Sequence, residues 1–142
     1  MEWTTIESDP AVFTSLIQQI GVKGVQMEEL WDLSNLESLN HRFHLHGLIF
    51  LFKYRTDIDT TSAFAVENVD APESLFFASQ VITNACATQA ILGVLLNVET
   101  FGSESDEGST SEQSIGETLT ELKQFTADFP PELKGLALSN SE

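Results

Sequence analysis

The sequence predicts a single domain of mixed α+β class, and three observations lead to this. Residues 7–21 and 84–97 have helical patterns with marked ends, and residues 47–54 form a continuous apolar run rich in β-forming side chains. The chain has 142 residues, of which 42% are apolar and 20% are charged, a composition typical of a globular protein with its own core. We therefore expect a buried helix packed against a sheet.

Residues 7–21 are expected to form the first helix because both ends carry local signals. Asp9 suits the N-cap, Pro10 suits the first helical position and Gly21 suits the stop. The apolar side chains recur three or four positions apart, so one face of this helix would be buried. They are Val12, Phe13, Leu16, Ile17 and Ile20.

The run at 47–54 indicates a central strand covered on both faces, because apolar side chains follow one another without alternation. Residues 22–31 are expected to be a short extended piece. Residues 56–72 are acidic and lack a period, which is typical of a surface connection.

The helix at 84–97 is apolar nearly all round, which predicts a buried helix, and Asn84 is placed to cap it. Residues 101–114 are Ser-rich, acidic and of low complexity, so a flexible acidic loop is expected. Ser114 and Glu117 have the spacing of a capping box for a third helix. The apolar stripe of that helix would be Leu119, Leu122, Phe125 and Phe129, with Pro130 and Pro131 ending it and a short fourth helix at 132–138.

The charge balance excludes several classes of function. The chain has 22 acidic and 6 basic residues, a net charge of −16, which argues against nucleic acid and against an anionic membrane surface. A basic peptide would be attracted by this field; a merely solvated acidic surface is the alternative. One cysteine forms no internal disulfide, no signal peptide is visible, and the longest strongly apolar stretch, 48–52, is too short to span a bilayer. A cytoplasmic and nuclear location is expected.

Cys86 is the candidate nucleophile. It lies about one turn inside the predicted helix, where unpaired N–H groups favour the thiolate. The amide of Gln80, six residues earlier, could donate to an oxyanion beside it. The alternative is that Cys86 is a small core residue of an apolar helix. A redox pair would need a second cysteine, and a cysteine phosphatase would need a Gly-rich, Arg-terminated loop.

Three histidines, His41, His44 and His46, precede the apolar run. Their spacing admits a metal site, but only His44 and His46 would share a strand face, and no cysteine or carboxylate nearby completes a tetrahedral set. Partly exposed imidazoles at a strand edge are the expected interpretation. We expect no metal and no cofactor.

Residues 80–90, Gln-Val-Ile-Thr-Asn-Ala-Cys-Ala-Thr-Gln-Ala, closely resemble the active-site segment of the ubiquitin C-terminal hydrolase family, which comprises papain-like thiol deubiquitinases. The likeness extends from Trp3 to the last residue and indicates the proteasome-associated branch of that family. It is carried further by residues 3–10, 25–31, 47–53, 116–119 and 134–141.

The resemblance implies a papain-like fold, with a central antiparallel sheet flanked by helices, and a thiol-dependent hydrolase of the bond after the C-terminal glycine of ubiquitin. Cys86 would be the nucleophile, Gln80 the oxyanion donor together with the Cys86 backbone N–H, and Glu29 an acid near the basic tail of ubiquitin. The partners would be ubiquitin, ubiquitinated proteins and, through a C-terminal extension, the proteasome.

The family's catalytic His and Asp lie downstream of the segment that matches residues 134–141. We therefore expect residues 1–142 to be the N-terminal part of one catalytic domain, and to be inactive alone because the general base and its Asp lie beyond residue 142. The alternative function is a catalytically incomplete module that only binds ubiquitin or another partner.

Overall fold

The computed structural model describes residues 3–42, 44–53, 72, 74–98 and 114–140. These ranges contain five α-helices and a short 3-10 helix, in the order α1 (Pro10–Gln19), the 3-10 helix (Leu33–Asn35), α2 (Leu36–Arg42), α3 (Cys86–Leu95), α4 (Gly116–Phe125) and α5 (Pro131–Asn140). The predicted surface connection at 56–72, apart from Pro72, and the predicted loop at 101–114, apart from Ser114, lie outside the described residues.

Helix α1 forms as the sequence predicts. The Oδ1 of Asp9 accepts hydrogen bonds from the backbone N of Ala11 (2.7 Å) and of Val12 (3.3 Å), and Pro10 occupies the first helical position. Gly21 ends the helix region with φ +105°, a conformation that favours glycine. Because these signals are local, they fix both ends of the helix without help from the rest of the chain.

Helix α3 lies at the centre of the core, which confirms the prediction of a buried helix. Its side chains Ile91, Leu92 and Leu95 are buried. Other elements contribute to the same hydrophobic cluster, which includes Phe13 and Ile17 of α1, Val22, Phe76, Leu96, Leu119 of α4 and Leu138 of α5. Three other helices therefore contribute side chains to the same core as α3.

The capping box predicted for α4 is wrong. The N-cap residue is Ile115 and no side chain caps the helix. The backbone of Ser114 pairs instead with that of Lys23 in an antiparallel bridge (N···O 2.8 and 3.3 Å), and its Oγ accepts from Gly116 N at 3.0 Å. The fourth predicted helix is confirmed as α5, one residue longer at its start and two at its end.

The apolar run at 47–53 departs from its prediction. Residues 44–53 contain no regular strand, and only part of one face of the run is covered, since Leu51 is also 59% exposed. A Cβ added to Gly47 would meet Val94 Cγ1 of α3 at 2.8 Å, and Ile49 packs on the core. Leu48, Phe50 and Phe52, two positions apart, are 59%, 84% and 74% exposed. The described residues supply α3 beneath this run and no second layer above it, so the expected cover on both faces is absent.

No helix in the described ranges is long and apolar enough to cross a membrane.

Candidate active site

Cys86 is the first residue of α3, and its side chain is exposed. The sequence predicts it one turn inside the helix, so the prediction of its position is wrong by a turn. No side chain caps α3. Unpaired N–H groups at a helix start carry the positive end of the dipole, so the thiol lies beside donors suited to a negative charge. Exposure also excludes the interpretation of Cys86 as a core residue.

Asn84 does not cap α3, which corrects a second prediction. Its backbone is left-handed, with φ +65°, and its Nδ2 donates to the carbonyl oxygen of Trp3 at 3.1 Å. The backbone N of Trp3 donates in turn to the carbonyl oxygen of Thr83 at 3.1 Å. A side chain committed to Trp3 cannot turn back to the helix. The loop before Cys86 is thus fastened to the N-terminal segment, and Ala85, 2% exposed, anchors it in the core.

The segment that carries Gln80, residues 76–80, is held beside α3 by hydrogen bonds from two side-chain amides. Asn97, just after α3, accepts from Phe76 N at 2.7 Å and donates to Phe76 O at 2.8 Å. Gln89 of α3 donates from Nε2 to the carbonyl oxygen of Ser79 at 3.3 Å. The backbone N of Ser79 donates to Pro131 O at 2.9 Å. The segment is therefore fixed to both α3 and α5.

These two amide anchors set the register between the segment and the helix. From Asn97 back to Gln89 is eight residue steps, about 12 Å of helix; from Phe76 to Ser79 is three extended steps, about 10 Å. The lengths agree to about 2 Å. Because the earlier residue Phe76 pairs with the later Asn97, and Ser79 pairs with Gln89, the segment runs antiparallel to α3. One further step brings Gln80 roughly level with the first turn of α3, where Cys86 lies.

The side chain of Gln80 is exposed, and its Nε2 donates to the carbonyl oxygen of Ile82 at 2.9 Å. Because a carbonyl can only accept, this bond identifies the NH₂ end of the amide. A primary amide has two N–H bonds, so this bond uses only one of them. The side chain of the predicted oxyanion donor is therefore held by the backbone of its own segment.

Glu29 is exposed and lies on an irregular segment, residues 24–32, that follows α1. Met27 N donates to Thr14 Oγ1 at 2.9 Å, which fastens this segment to α1. No bond among the described residues joins Glu29 to the segments that carry Cys86 and Gln80. By this register Cys86 and Gln80 lie towards the same end of α3, and Glu29 lies on a separate segment; all three side chains are exposed.

The imidazole rings of His44 and His46 lie 5.0 Å apart between centroids, at an interplanar angle of 49°. Burial lowers the pKa of His46, and the charge of His44 lowers it further. The side chain of His41 lies outside the described residues. Within the described ranges no group of three His, Cys, Asp or Glu side chains could hold a metal ion.

Sequence reasoning missed Gln89 and Asn97. Gln89 is an amide within an otherwise apolar buried helix, and such a group needs a hydrogen-bond partner. That signal could have indicated a contact with a neighbouring backbone, although not which one. Asn97 falls at the end of the predicted helix, and its bidentate contact with Phe76, 21 residues earlier, has no local signature.

Comparison with known proteins identifies the family. The family model of "Ubiquitin carboxyl-terminal hydrolase, family 1" matches residues 3–142. The chain belongs to this family of cysteine peptidases, as the exposed cysteine at the start of a buried helix and the neighbouring glutamine segment indicate.

Relatives of the UCH37 and L5 type resemble the chain over nearly all its length. It is 48% identical to ubiquitin carboxyl-terminal hydrolase 2 of Schizosaccharomyces pombe, over 100% of the chain and 43% of that protein. It is 48% identical to isozyme L5 of Dictyostelium discoideum, over 99% of the chain and 35% of that protein. The chain thus spans less than half the length of these relatives.

A solved structure agrees in fold. The catalytic domain of Trichinella spiralis UCH37, bound to ubiquitin vinyl methyl ester, superposes with a TM-score of 0.76 at 39% identity, covering 100% of this chain and 59% of that one. This likeness supports the predicted ubiquitin hydrolase fold and confirms the branch inferred from the sequence.

Proposed function

We propose that the chain supplies the nucleophile half of a thiol-dependent deubiquitinase that hydrolyses the bond after the C-terminal glycine of ubiquitin. The observation that carries the proposal is the exposed Cys86 at the uncapped start of α3, with the Gln80 segment tied alongside. Family membership and the ubiquitin-bound structure of a relative support the substrate class.

The proposed chemistry begins with attack of the Cys86 thiolate on the glycine carbonyl carbon. The carbonyl π electrons move to oxygen, and the oxyanion accepts from the Gln80 amide and the Cys86 backbone N–H. Collapse of the intermediate breaks the C–N bond, gives a thioester, and expels the amine, which takes a proton from a general acid. Water then attacks the thioester and releases the carboxylate of ubiquitin and the thiol.

No general acid lies beside Cys86 among the described residues. Among the described residues no side chain hydrogen-bonds to the sulfur of Cys86. We propose that residues 1–142 are the N-terminal part of one domain, with a flexible acidic loop at 101–114, and that the complementary part supplies the His, its Asp and the antiparallel strands that pair with 47–53. We call the assembly of both parts the complemented domain.

Glu29 is proposed to contact the basic tail of ubiquitin, because an exposed carboxylate in a chain of net charge −16 attracts cationic side chains. Association with ubiquitinated proteins and the proteasome, and residence in cytoplasm and nucleus, are proposed from the family resemblance alone. Cosedimentation with proteasomes, and microscopy of the tagged protein, test these two points.

The second candidate function is a ubiquitin-binding module without catalysis, favoured by the absence of an acid–base partner at Cys86 in the described part of the chain. A fluorogenic ubiquitin substrate separates the two when assayed with residues 1–142 alone, with the complemented domain, and with its Cys86→Ser variant. We expect turnover only in the complemented domain with Cys86 intact. Turnover by residues 1–142 alone would contradict the proposed division of the site. Ubiquitin binding without turnover by the complemented domain would favour the module.

A further inference from the structure

Gln89 joins the two halves of the proposed site. It lies three residues after Cys86 on α3, and its Nε2 donates to the carbonyl oxygen of Ser79, the residue directly before Gln80. Helix and segment are 10 residues apart in sequence at this bond, so it closes the loop that contains Gln80 and the turn at Asn84.

The carbonyl group of Ser79 is closely surrounded by α5 and α3. Gly135 of α5 lies so close that a Cβ added there would collide with the Ser79 oxygen. The backbone N–H of Ser79 also donates to Pro131 O of α5, at 2.9 Å. The backbone of Ser79 is therefore held by α5, and its carbonyl oxygen accepts from Gln89 of α3.

We propose that Gln89 is a positioning residue, which sets the distance between the oxyanion donor Gln80 and the nucleophile Cys86 by holding Ser79 against α3. This inference rests on the proposed function, since it assigns Gln89 a part in transition-state stabilisation. The other amide anchor, Asn97, holds Phe76, four residues from Gln80. Gln89, in contrast, binds the residue next to Gln80 and lies on α3, the helix that also carries Cys86.

If Gln89 positions Gln80, the loss of Gln89 should lower kcat only while Gln80 is present. Without the Gln89 bond, residues 79 and 80 gain freedom while Cys86 keeps its place on α3. Misplacement of a donor by a fraction of an ångström weakens the developing oxyanion contact and leaves ground-state binding unchanged. Loss of Gln89 should therefore lower kcat and leave KM and ubiquitin affinity unchanged. It should not lower kcat further in a variant that already lacks Gln80.

The test is a double-mutant cycle in the complemented domain with the fluorogenic ubiquitin substrate. Gln89→Met removes the amide donor at nearly constant size, Gln80→Ala removes the oxyanion donor, and the third variant carries both. Gln19→Met is the matched control, because Gln19 is also a helical glutamine whose Nε2 donates to a nearby oxygen, that of Ser15 at 3.0 Å, away from the site. Alkylation of Cys86 by iodoacetamide in residues 1–142 reports the thiol separately, and amide exchange at Ser79 reports the segment.

We expect Gln89→Met to lower kcat about 10-fold or more, with alkylation unchanged and faster exchange at Ser79, and to have no further effect in the Gln80→Ala background. If kcat falls equally in both backgrounds, Gln89 acts structurally and the inference is wrong, while the proposed function stands. If Gln80→Ala leaves kcat unchanged, the oxyanion assignment and this inference both fail. Loss of alkylation in Gln89→Met would also overturn it, because the thiol itself would then have moved.

Discussion

Asn84 adopts a backbone conformation that costs most L-residues about 1 kcal/mol or more, and it does so two positions before the candidate nucleophile. Asparagine tolerates this region better than other side chains. Its amide also fastens the turn to Trp3. Turn geometry and tertiary contact are thus combined in one side chain.

Replacing Asn84 should separate these two contributions. Asn84→Ala loses both the tolerance of positive φ and the bond to Trp3, so we expect a destabilisation of about 2 kcal/mol. Asn84→Gly keeps the conformation and loses only the bond, so its cost should be about half as large. Urea unfolding of residues 1–142 measures both. Equal costs for the two variants would show that the backbone conformation contributes nothing.

His46 makes stability depend on pH in a defined direction. Burial and the neighbouring His44 hold the pKa of His46 below its ordinary value of 6.5, so the unfolded chain binds more protons than the folded chain as pH falls. The contribution of His46 is therefore fully present above about pH 6.5 and is lost on acidification below it.

The check is the urea midpoint of the native chain and of His46→Gln between pH 7.5 and 5.5. We expect the native midpoint to fall towards pH 5.5 and the variant to fall less. His44→Gln is the control that removes the charge and keeps the buried ring, so it should give an intermediate slope. Parallel slopes for all three proteins would exclude a role for His46.

At the level of single residues, the sequence was informative where partners are local. Asp9 caps the helix that begins next to it, and its spacing alone shows this. Asn84 has the same kind of side chain in the same kind of position, but its partner is Trp3, 81 residues earlier. The local sequence does not distinguish the two cases, because a hydrogen bond to the nearby helix and one to a distant backbone group satisfy such a side chain equally well.

Among the helices, two glycines offer a matched comparison. A Cβ added to Gly93 of α3 would meet nothing within 4 Å, whereas the same atom added to Gly135 of α5 would collide with Ser79 O. Gly93→Ala should stabilise the chain by about 1 kcal/mol through helix propensity. Gly135→Ala should destabilise it by about 1–3 kcal/mol, because α5 must move away from the segment that carries Gln80.

Thermal unfolding of the two alanine variants tests the pair, with the native chain as reference. Opposite shifts in Tm are expected. If Gly135→Ala also raises Tm, the close packing of α5 on Ser79 is not a constraint in solution.

Elements were predictable to the extent that their stabilising contacts lie within them. The start of α1 follows from the Asp9 cap and Pro10, and the start of α5 follows from Pro131. The run at 47–53 has the apolar content of a central strand, but a strand also needs neighbouring strands, and none pairs with it among the described residues. Likewise, the motif alone is enough to propose Cys86 and Gln80 as site residues, whereas the anchors Gln89 and Asn97 bind backbone atoms that the sequence does not specify.

For the molecule as a whole, the uncovered face formed by Leu48, Phe50 and Phe52 is the main liability. The rings of Phe50 and Phe52 stack at 6.0 Å between centroids, which makes the exposed apolar surface continuous. Contiguous apolar surface of this kind drives association in water. The net charge of −16 opposes association through repulsion between chains. Added salt screens this repulsion and should therefore allow association.

We expect residues 1–142 to self-associate as salt concentration rises, and Phe50→Lys to suppress this by placing a charge in the middle of the face. Phe125→Lys is the control, since Phe125 is 67% exposed on α4 and also contacts a ring, that of Phe129, edge to face at 5.1 Å between centroids. Sedimentation velocity at low and high salt gives the result. If both lysine variants suppress self-association equally, the cause is the change in charge and not the loss of this apolar face.

The bonds between Trp3 and the turn at Thr83 and Asn84 also bear on the order in which the molecule assembles. The clamp of Asn97 on Phe76 closes a loop of 21 residues, whereas Trp3 and Asn84 close one of 81. The longer closure costs about 1 kcal/mol more in chain entropy, and on a ribosome Trp3 emerges long before its partners exist. We expect pulse-labelled exchange to show protection at Phe76 before protection at Trp3. The turn that presents the thiol would then be locked last, by a segment synthesised 81 residues earlier.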